Sequence, residues 1–346
     1  TYVVDVPSAG GEKAPPYEFK DARARLAVQL QAVNTAVMSL PDDACPSGEA
    51  VAVVTMHPRY VSKSDFPDRL FRSVGLRAIG SRSVTVSPDR WGIEEHPESA
   101  VTEQFFVAGK KDAFNDWATT VDHWRGDHLG AEDLTHVEGV AAFDAQMKLR
   151  NIPGGRDKAT LELVLHNDQR KDILDAFARF AARHGAEPIL ERARTIRGVT
   201  FVPVRAPSAR VAELATFQFV RVVRGMPTLR PFRPGVVRST PAEDVTLPDT
   251  DVLGASRAVV FDGGLPPSHG LDRWVQTIEP QGIGTAHPDY QDHGLAVTGT
   301  FLFGHLHDRV LPRPYCLVDH VRVLDDQTGQ GGNDLEILDV LDRIVA

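Results

Sequence analysis

Two residues in the C-terminal part of the chain, Asp262 and His293, have the types and the order that proton transfer requires. Asp262 ends the apolar segment AVVFD, and His293 opens the later segment HGLAVTG. A carboxylate can accept a hydrogen bond from one imidazole nitrogen and so orient the ring, while the other nitrogen takes a proton from a hydroxyl nucleophile. The pattern therefore predicts two members of an Asp–His–Ser relay, in that chain order.

Both residues also have a structural interpretation. Asp262 can form a turn with the two glycines that follow it, and a histidine at a helix start is often merely exposed. Asp292 is expected to cap the helix that His293 begins. Gly299 lies inside this helix, where glycine costs about 1 kcal/mol relative to alanine. We therefore expect Gly299 to allow a close approach of the helix to a sheet.

The surrounding segments predict an α/β domain over residues 257–346. RAVVFD is an unbroken apolar strand, as expected inside a parallel sheet, and YCLVDHVRVLD is a second strand. NDLEILDVLDRIVA has its leucines at helical spacing. Strand, crossover, strand and helix form the start of a doubly wound parallel sheet, which the sequence leaves incomplete. An acid at the carboxyl end of such a strand lies where these folds place their sites.

The preceding residues predict two α+β units in tandem. Residues 1–150 contain a leading helix over 18–40 and then strands and helices in the order β-α-β-β-α-β. The turn-forming segment 150–157 marks a boundary, and the same order repeats over 151–235. This order is that of ferredoxin-like folds. Residues 236–256 are expected to be a linker to the final domain.

The segments around Asp262 and His293 resemble two motifs of subtilisin-like serine proteases. AVVFDGG is similar to the Asp motif, a strand that ends in Asp-x-Gly, and HGLAVTG is similar to the His motif, His-Gly-Thr-x-Val-Ala-Gly. The His motif matches at His293, Gly294, Val297 and Gly299 and departs from the family at Leu295 and Thr298. VRVLDDQTGQGGNDLEILDVLDRIV resembles the strand, glycine-rich loop and helix that follow. The resemblance covers about residues 255–346 and implies that Asp262 and His293 are catalytic.

The second α+β unit adds to this resemblance. Residues 158–232 are similar to the ferredoxin-like propeptides of these proteases, mainly through VAELATFQFVRVVRGMP. The similarity implies that residues 226–232 lie near the substrate cleft. The N-terminal extension suggests the bacterial subtilases encoded beside an AAA ATPase, which are implicated in plasmid exclusion and phage defence. That narrower resemblance implies an AAA ATPase as a partner.

The nucleophile of the family is absent from this sequence. Gly-Thr-Ser-x-Ala, the motif that carries the serine, does not occur in the 346 residues, and Ser47, Ser256 and Ser268 lie in unsuitable surroundings. The chain alone is therefore expected to be inactive. A longer protein that supplies the serine is expected to be a serine endopeptidase acting on proteins or peptides. Its N-terminal domains are expected to regulate the protease or to recognise targets.

Composition and charge argue against several other classes. The chain has 38 basic and 47 acidic residues and a net charge of −9. This balance argues against nucleic-acid binding, in which Lys and Arg neutralise phosphates. No apolar segment reaches the roughly 18 residues of a membrane helix. Two distant cysteines, Cys45 and Cys316, form no disulfide framework, which favours the cytoplasm. No cofactor and no metal are expected.

Two alternatives stay open. Six of the 13 histidines fall between His269 and His320, and the segment GHLHD suggests a metallohydrolase. His305 and His307 are two positions apart, however, and do not face each other if they continue a helix. In the other alternative the protein is a non-catalytic regulatory or interaction module, a pseudoprotease.

Overall fold

The computed structural model describes residues 14–154, 157–167, 170–229, 246–304, 311–329 and 335–345. The fold is mixed α/β, with antiparallel and parallel sheets, which agrees with the general class expected from the sequence. The chain divides into two compact units, Thr1–Gly225 and Met226–Ala346, called unit 1 and unit 2 below. No described helix combines the length and the apolar composition of a membrane span.

The first half of unit 1 is a four-stranded sheet with helices on one face. In chain order its elements are α1 (Phe19–Met38), β1 (Glu49–Met56), α2 (Asp68–Ser73), β2 (Arg77–Val86), β3 (Ala100–Lys110), α3 (Lys111–Thr120), α4 (Ala131–Leu134) and β4 (Val137–Ala142). The strand order is β2-β3-β1-β4, and all neighbours are antiparallel. The apolar stripe of α1, which includes Leu26, Leu30 and Val33, packs in the core between the helices and the sheet.

The second half of unit 1 repeats this arrangement. Its elements are β5 (Leu149–Arg150), β6 (Lys158–His166), α5 (Lys171–Arg183), β7 (Glu187–Pro188), β8 (Arg194–Ile196), β9 (Val199–Pro207), α6 (Val211–Leu214) and β10 (Val220–Gly225). The strand order is β5-β10-β6-β9-β7, and β8 also pairs with β9. Ile173 and Phe177 of α5 are fully buried against this sheet, because apolar residues recur at helical spacing on one face of the helix and charged residues lie on the other.

The two sheets of unit 1 share one hydrophobic core. All eight residues of β1 are buried. Successive side chains of a strand point to opposite faces, so both faces of β1 are covered. Val51 and Val53 pack in a cluster with residues of the second sheet such as Leu163. Ala52 and Val54 pack instead in the cluster that includes α1 and α3. The boundary expected near residue 150 therefore lies inside one compact unit. The sequence does not indicate this, because a repeat of elements does not reveal which sheet faces pack together.

Unit 2 contains a three-stranded parallel sheet. Its elements are β11 (Thr228–Leu229), β12 (Arg257–Asp262), β13 (Val275–Ile278), α7 (Pro288–Phe303), β14 (Leu317–Arg322), β15 (Leu335–Glu336) and α8 (Ile337–Val345). The parallel strands lie in the order β12-β14-β13, and β11 pairs antiparallel with β15. The sequence predicted β12, β14 and α8, but it gave no sign of β13, which has only four residues and three exposed positions. Of the expected linker, residues 236–245 lie outside the described residues.

The two faces of β12 differ in burial. Val260 packs in the cluster that includes Phe303 of α7. Val259 and Phe261 point to the other face and are 51% and 46% exposed. Because side chains alternate along a strand, Asp262 shares the face of Val260 and points toward α7. The strand therefore presents its terminal carboxylate to the helix that carries the predicted histidine.

Candidate active site

Asp262 and His293 lie side by side in unit 2. His293 Nδ1 is 3.0 Å from Asp262 Oδ1 and 3.1 Å from Oδ2, so the ring N–H donates to the carboxylate. The side chain of Asp262 is 10% exposed and that of His293 is 40% exposed. The imidazole is thus the accessible end of the pair. Nε2 of His293 has no hydrogen-bond partner in the described part of the chain and can exchange a proton with a ligand.

Backbone contacts hold Asp262 at the carboxyl end of β12. Its Oδ1 accepts a hydrogen bond of 2.7 Å from Gly263 N, and its carbonyl oxygen accepts one of 2.8 Å from Val323 N. The parallel register pairs Asp262 with Arg322, the last residue of β14. The carboxylate therefore lies at the edge where the strands of this sheet end, the position at which α/β folds bind ligands.

Two glycines let α7 approach the loop that follows β12. A Cβ on Gly263 would lie 2.3 Å from Tyr290 Cβ, and a Cβ on Gly294 would lie 2.2 Å from the carbonyl oxygen of Gly264. Both distances are far below van der Waals contact, so a larger residue at either position must move the helix or the loop. The close approach brings the neighbouring His293 within hydrogen-bond distance of the carboxylate.

The structural role expected for Gly299 is wrong. A Cβ at this position would meet no atom of a described residue within 4 Å, so α7 makes no close approach to those residues there. The close approach is at Gly294 instead. Five residues turn a helix by about 140°, so the two glycines point to different sides of α7. The motif contains both glycines, and only the orientation of the helix decides which one is required.

α7 also begins earlier than the sequence suggested. Its N-cap is His287, whose Nδ1 accepts a hydrogen bond of 3.2 Å from Asp289 N. Pro288 is the first helical residue, a position that proline favours because its missing N–H has no helical partner there. Asp292 therefore does not cap the helix, and His293 lies in the second turn.

A second buried imidazole, which the sequence interpretation did not include, lies on β14. His320 and Thr298 of α7 are both 0% exposed, and Thr298 Oγ1 is 2.8 Å from His320 Nδ1. Burial lowers the pKa of His320, and the charge of Asp262 opposes this effect, so the ring is neutral at pH 7. Its Nε2 is buried without a partner in the described ranges. The one sequence signal was a histidine inside the apolar segment LVDHVRV.

The metallohydrolase alternative has no ligand set in the part of the chain that the structure describes. Within those residues, no group of three or more His, Cys, Asp or Glu side chains is arranged to hold a metal ion. His305 and His307 lie outside the described residues.

Together the buried carboxylate, the oriented imidazole and the accessible Nε2 can take up a proton from a bound group and return it. Comparison of the chain with known protein families and with characterised proteins finds no match.

Proposed function

We propose that unit 2 carries the aspartate and the histidine of a subtilisin-like serine endopeptidase. The observation that carries the proposal is the hydrogen bond from His293 Nδ1 to the largely buried Asp262, at the carboxyl end of a parallel strand. The glycine beside the histidine supports it, because Gly294 of the His motif is a residue at which α7 closely approaches the loop that follows the strand.

In this proposal Asp262 orients the ring and stabilises its charged form, while His293 Nε2 moves the proton. Nε2 takes the proton of a serine hydroxyl as the serine oxygen attacks the peptide carbonyl carbon. The same proton passes to the amine nitrogen as the C–N bond breaks. Water then repeats both transfers and releases the acid. The serine has to come from outside this sequence, because the family's serine motif does not occur in it.

We further propose that unit 1 consists of two ferredoxin-like halves, of which the second is propeptide-like. The strands of the first half lie in the order β2-β3-β1-β4, and those of the second, without the short strands β5 and β8, lie in the order β7-β9-β6-β10. Numbered within each half, both orders place the second strand at one edge and the fourth strand beside the first. The shared topology supports a common architecture for the two repeats.

The pairing of β11 within unit 2 supports a regulatory role for the propeptide-like segment. Thr228–Leu229 adds as an antiparallel strand to Leu335–Glu336, and Ile337 N donates a hydrogen bond of 3.1 Å to Pro227 O. Proteins commonly bind extended peptides by adding a strand to a sheet edge in this way. We propose that the segment occupies a peptide-binding edge and restrains the protease. Residues 230–232 of the expected cleft-binding segment lie outside the described residues.

The narrower proposal is a cytoplasmic protease that acts on protein or peptide substrates and works with an AAA ATPase in phage defence. Its support is the resemblance of the N-terminal extension alone. Affinity purification of the natural protein tests it: the ATPase should co-purify, and removal of residues 1–235 should change the proteolytic rate. An unchanged rate and folding yield after the deletion would contradict the regulatory role.

A fluorophosphonate probe, which labels activated serines, tests the catalytic role on the natural protein that contains this chain. His293→Ala should abolish labelling, and Asp262→Asn should lower the rate by about four orders of magnitude, because the ring loses its tautomer and orientation. Asp292→Asn is the matched control, since it makes the same chemical change at an exposed residue of α7. Labelling that survives in His293→Ala would refute the relay, and absence of labelling in the wild type would favour the pseudoprotease.

The chain itself provides a second measurement. Nitrogen-15 spectra of the neutral ring should show the proton of His293 on Nδ1, because that atom donates to Asp262. In Asp262→Asn the proton should move toward Nε2, whereas Asp292→Asn should leave it in place. A tautomer that does not respond to Asp262→Asn would contradict the proposed orientation of the ring.

A further inference from the structure

Two half-buried arginines of unit 1 pack on one aromatic ring between its sheets. The Arg82 guanidinium carbon lies 5.5 Å from the centroid of Phe106, and that of Arg221 lies 4.9 Å from the same centroid. Lys148 is fully buried nearby, 5.0 Å from the ring of Phe143. Two arginines and a buried lysine therefore lie around one small aromatic cluster.

These arginines have no counter-charge in the part of the chain that the structure describes. Arg82 Nε donates to Gln104 Oε1 at 2.8 Å, and Arg221 Nη2 donates to the carbonyl oxygen of Ser81 at 2.7 Å. Each guanidinium has five N–H donors, so most of them have no acceptor among the described residues. Burial lowers the pKa of Arg82, and the charges of Arg150 and Arg221 lower it further. Holding like charges together in this way is unfavourable unless an anion joins them.

A buried imidazole adjoins the same place. His166 is 0% exposed, and neither of its ring nitrogens meets hydrogen-bond geometry within the described residues. Burial, and after it the charge of Arg221, lower the pKa of His166 to about 3. The nearby carbonyl group of Ile79 opposes this lowering in part. The ring is therefore neutral and keeps one N–H that it can donate.

The backbone of β2 passes close to these groups at Gly80. A bulge lies between Ala78 and Gly80, and Gly80 then pairs with Phe106 across the sheet. The position of a Gly80 Cβ is 3.3 Å from Arg221 Nη1 and 3.5 Å from His166 Nδ1. Arg82, two residues further along the strand, lies on the same face as Gly80. The bulge thus brings both arginines and the histidine to one face of β2.

We propose that Arg82, Arg221 and His166 form a binding site for a phosphate group, free or carried by a small metabolite. The planar forks of two arginines match the oxygens of a phosphate, and a doubly charged anion offsets both guanidinium charges. The neutral imidazole adds a donor from the buried side. A nucleic acid fits less well, because the chain carries a net charge of −9 and the cations are recessed between two sheets. This proposal is independent of the protease proposal.

Titration of the whole chain with inorganic phosphate at constant ionic strength tests the site, with thermal stability and calorimetric affinity as readouts. Arg82→Gln and Arg221→Gln should each weaken phosphate binding by about tenfold, because each removes charge-assisted hydrogen bonds. Arg179→Gln makes the same change at an exposed position of α5 and should leave the affinity unchanged. Glycerol phosphate and phosphoserine, titrated in parallel, distinguish a metabolite from free phosphate, since the true ligand class should bind more tightly.

A purely structural role for the arginines would lower stability equally with and without phosphate. If either variant fails to fold, the ring nitrogen resonances of His166 in the wild-type protein should still shift on addition of phosphate and not on addition of chloride. Equal stabilisation of the wild type by phosphate and by chloride would overturn the proposal. So would an equal loss of affinity in Arg179→Gln, because that result would indicate binding to surface charge.

Discussion

Alanine substitutions at two glycines of α7 should change the stability of this helix in opposite directions. In Gly294→Ala the new methyl group would lie 2.2 Å from the carbonyl oxygen of Gly264 and 3.0 Å from His320 Cε1. In Gly299→Ala it would meet no atom within 4 Å among the residues that the structure describes. The two variants make the same chemical change in the same helix, so the difference between them isolates the contact with the loop.

The expected magnitudes follow from propensity and packing. Alanine is favoured over glycine inside a helix by about 1 kcal/mol, and at Gly299 no described residue is close enough to oppose this gain. At Gly294 the methyl group meets backbone and a buried ring, neither of which can swing away, and overpacking of this kind costs about 3 kcal/mol. The net effect of Gly294→Ala is therefore a loss of about 2 kcal/mol, which corresponds to a roughly 30-fold change in an equilibrium constant.

Native-state hydrogen exchange of peptides from Pro288–Phe303 measures these changes where they occur, without requiring the two units to unfold together. Exchange should become roughly 30-fold faster in Gly294→Ala and about fivefold slower in Gly299→Ala. The His293 tautomer should also be disturbed in Gly294→Ala, because the helix has to move away from the Asp262 loop. Slower exchange in both variants would refute the close approach of α7 to this loop.

Two further predictions concern buried polar groups. Burial lowers the pKa of Lys148 from 10.5 to about 7, so the unfolded state binds more protons between these pH values and stability rises with pH across them. In urea unfolding, the wild type should gain about 1–3 kcal/mol over Lys148→Met as the pH rises through this window, and parallel pH curves would contradict the burial. Thr298→Val removes the hydroxyl that contacts His320 Nδ1 and should cost unit 2 about 1–3 kcal/mol. Thr298→Ser, which keeps the hydroxyl, should lose less, and equal losses would show that the methyl group matters instead.

The paired site could be predicted from the sequence because its two motifs are local. Asp262 closes an apolar strand and is followed by glycines, and His293 stands beside a glycine in an apolar helix. Such local patterns fix residue types at particular strand and helix positions, and the chain order then suggests the relay. The parts that depended on the third dimension were missed or misassigned. These were the start of α7, the roles of Gly294 and Gly299, and the imidazole of His320 behind the pair.

The site in unit 1 gave no signal in the sequence. Arg82, His166 and Arg221 belong to three different strands, and their separation along the chain hides any relation between them. Only the bulge at Gly80 and the packing of both sheets against Phe106 bring them together. From the sequence alone, these arginines would be expected on the solvent-exposed face of their strands, because arginine is rarely buried without a partner.

The sequence by itself determined the α/β class, most of the strands and helices, and the choice of Asp262 and His293 as a candidate pair. These properties depend on hydrophobic periodicity and turn residues, which act over a few neighbouring positions. Tertiary structure alone decided which glycine contacts the loop, that the two sheets of unit 1 share a core, and which polar groups are buried together. Such outcomes depend on how faces of distant elements pack at close range, and no local pattern contains that information.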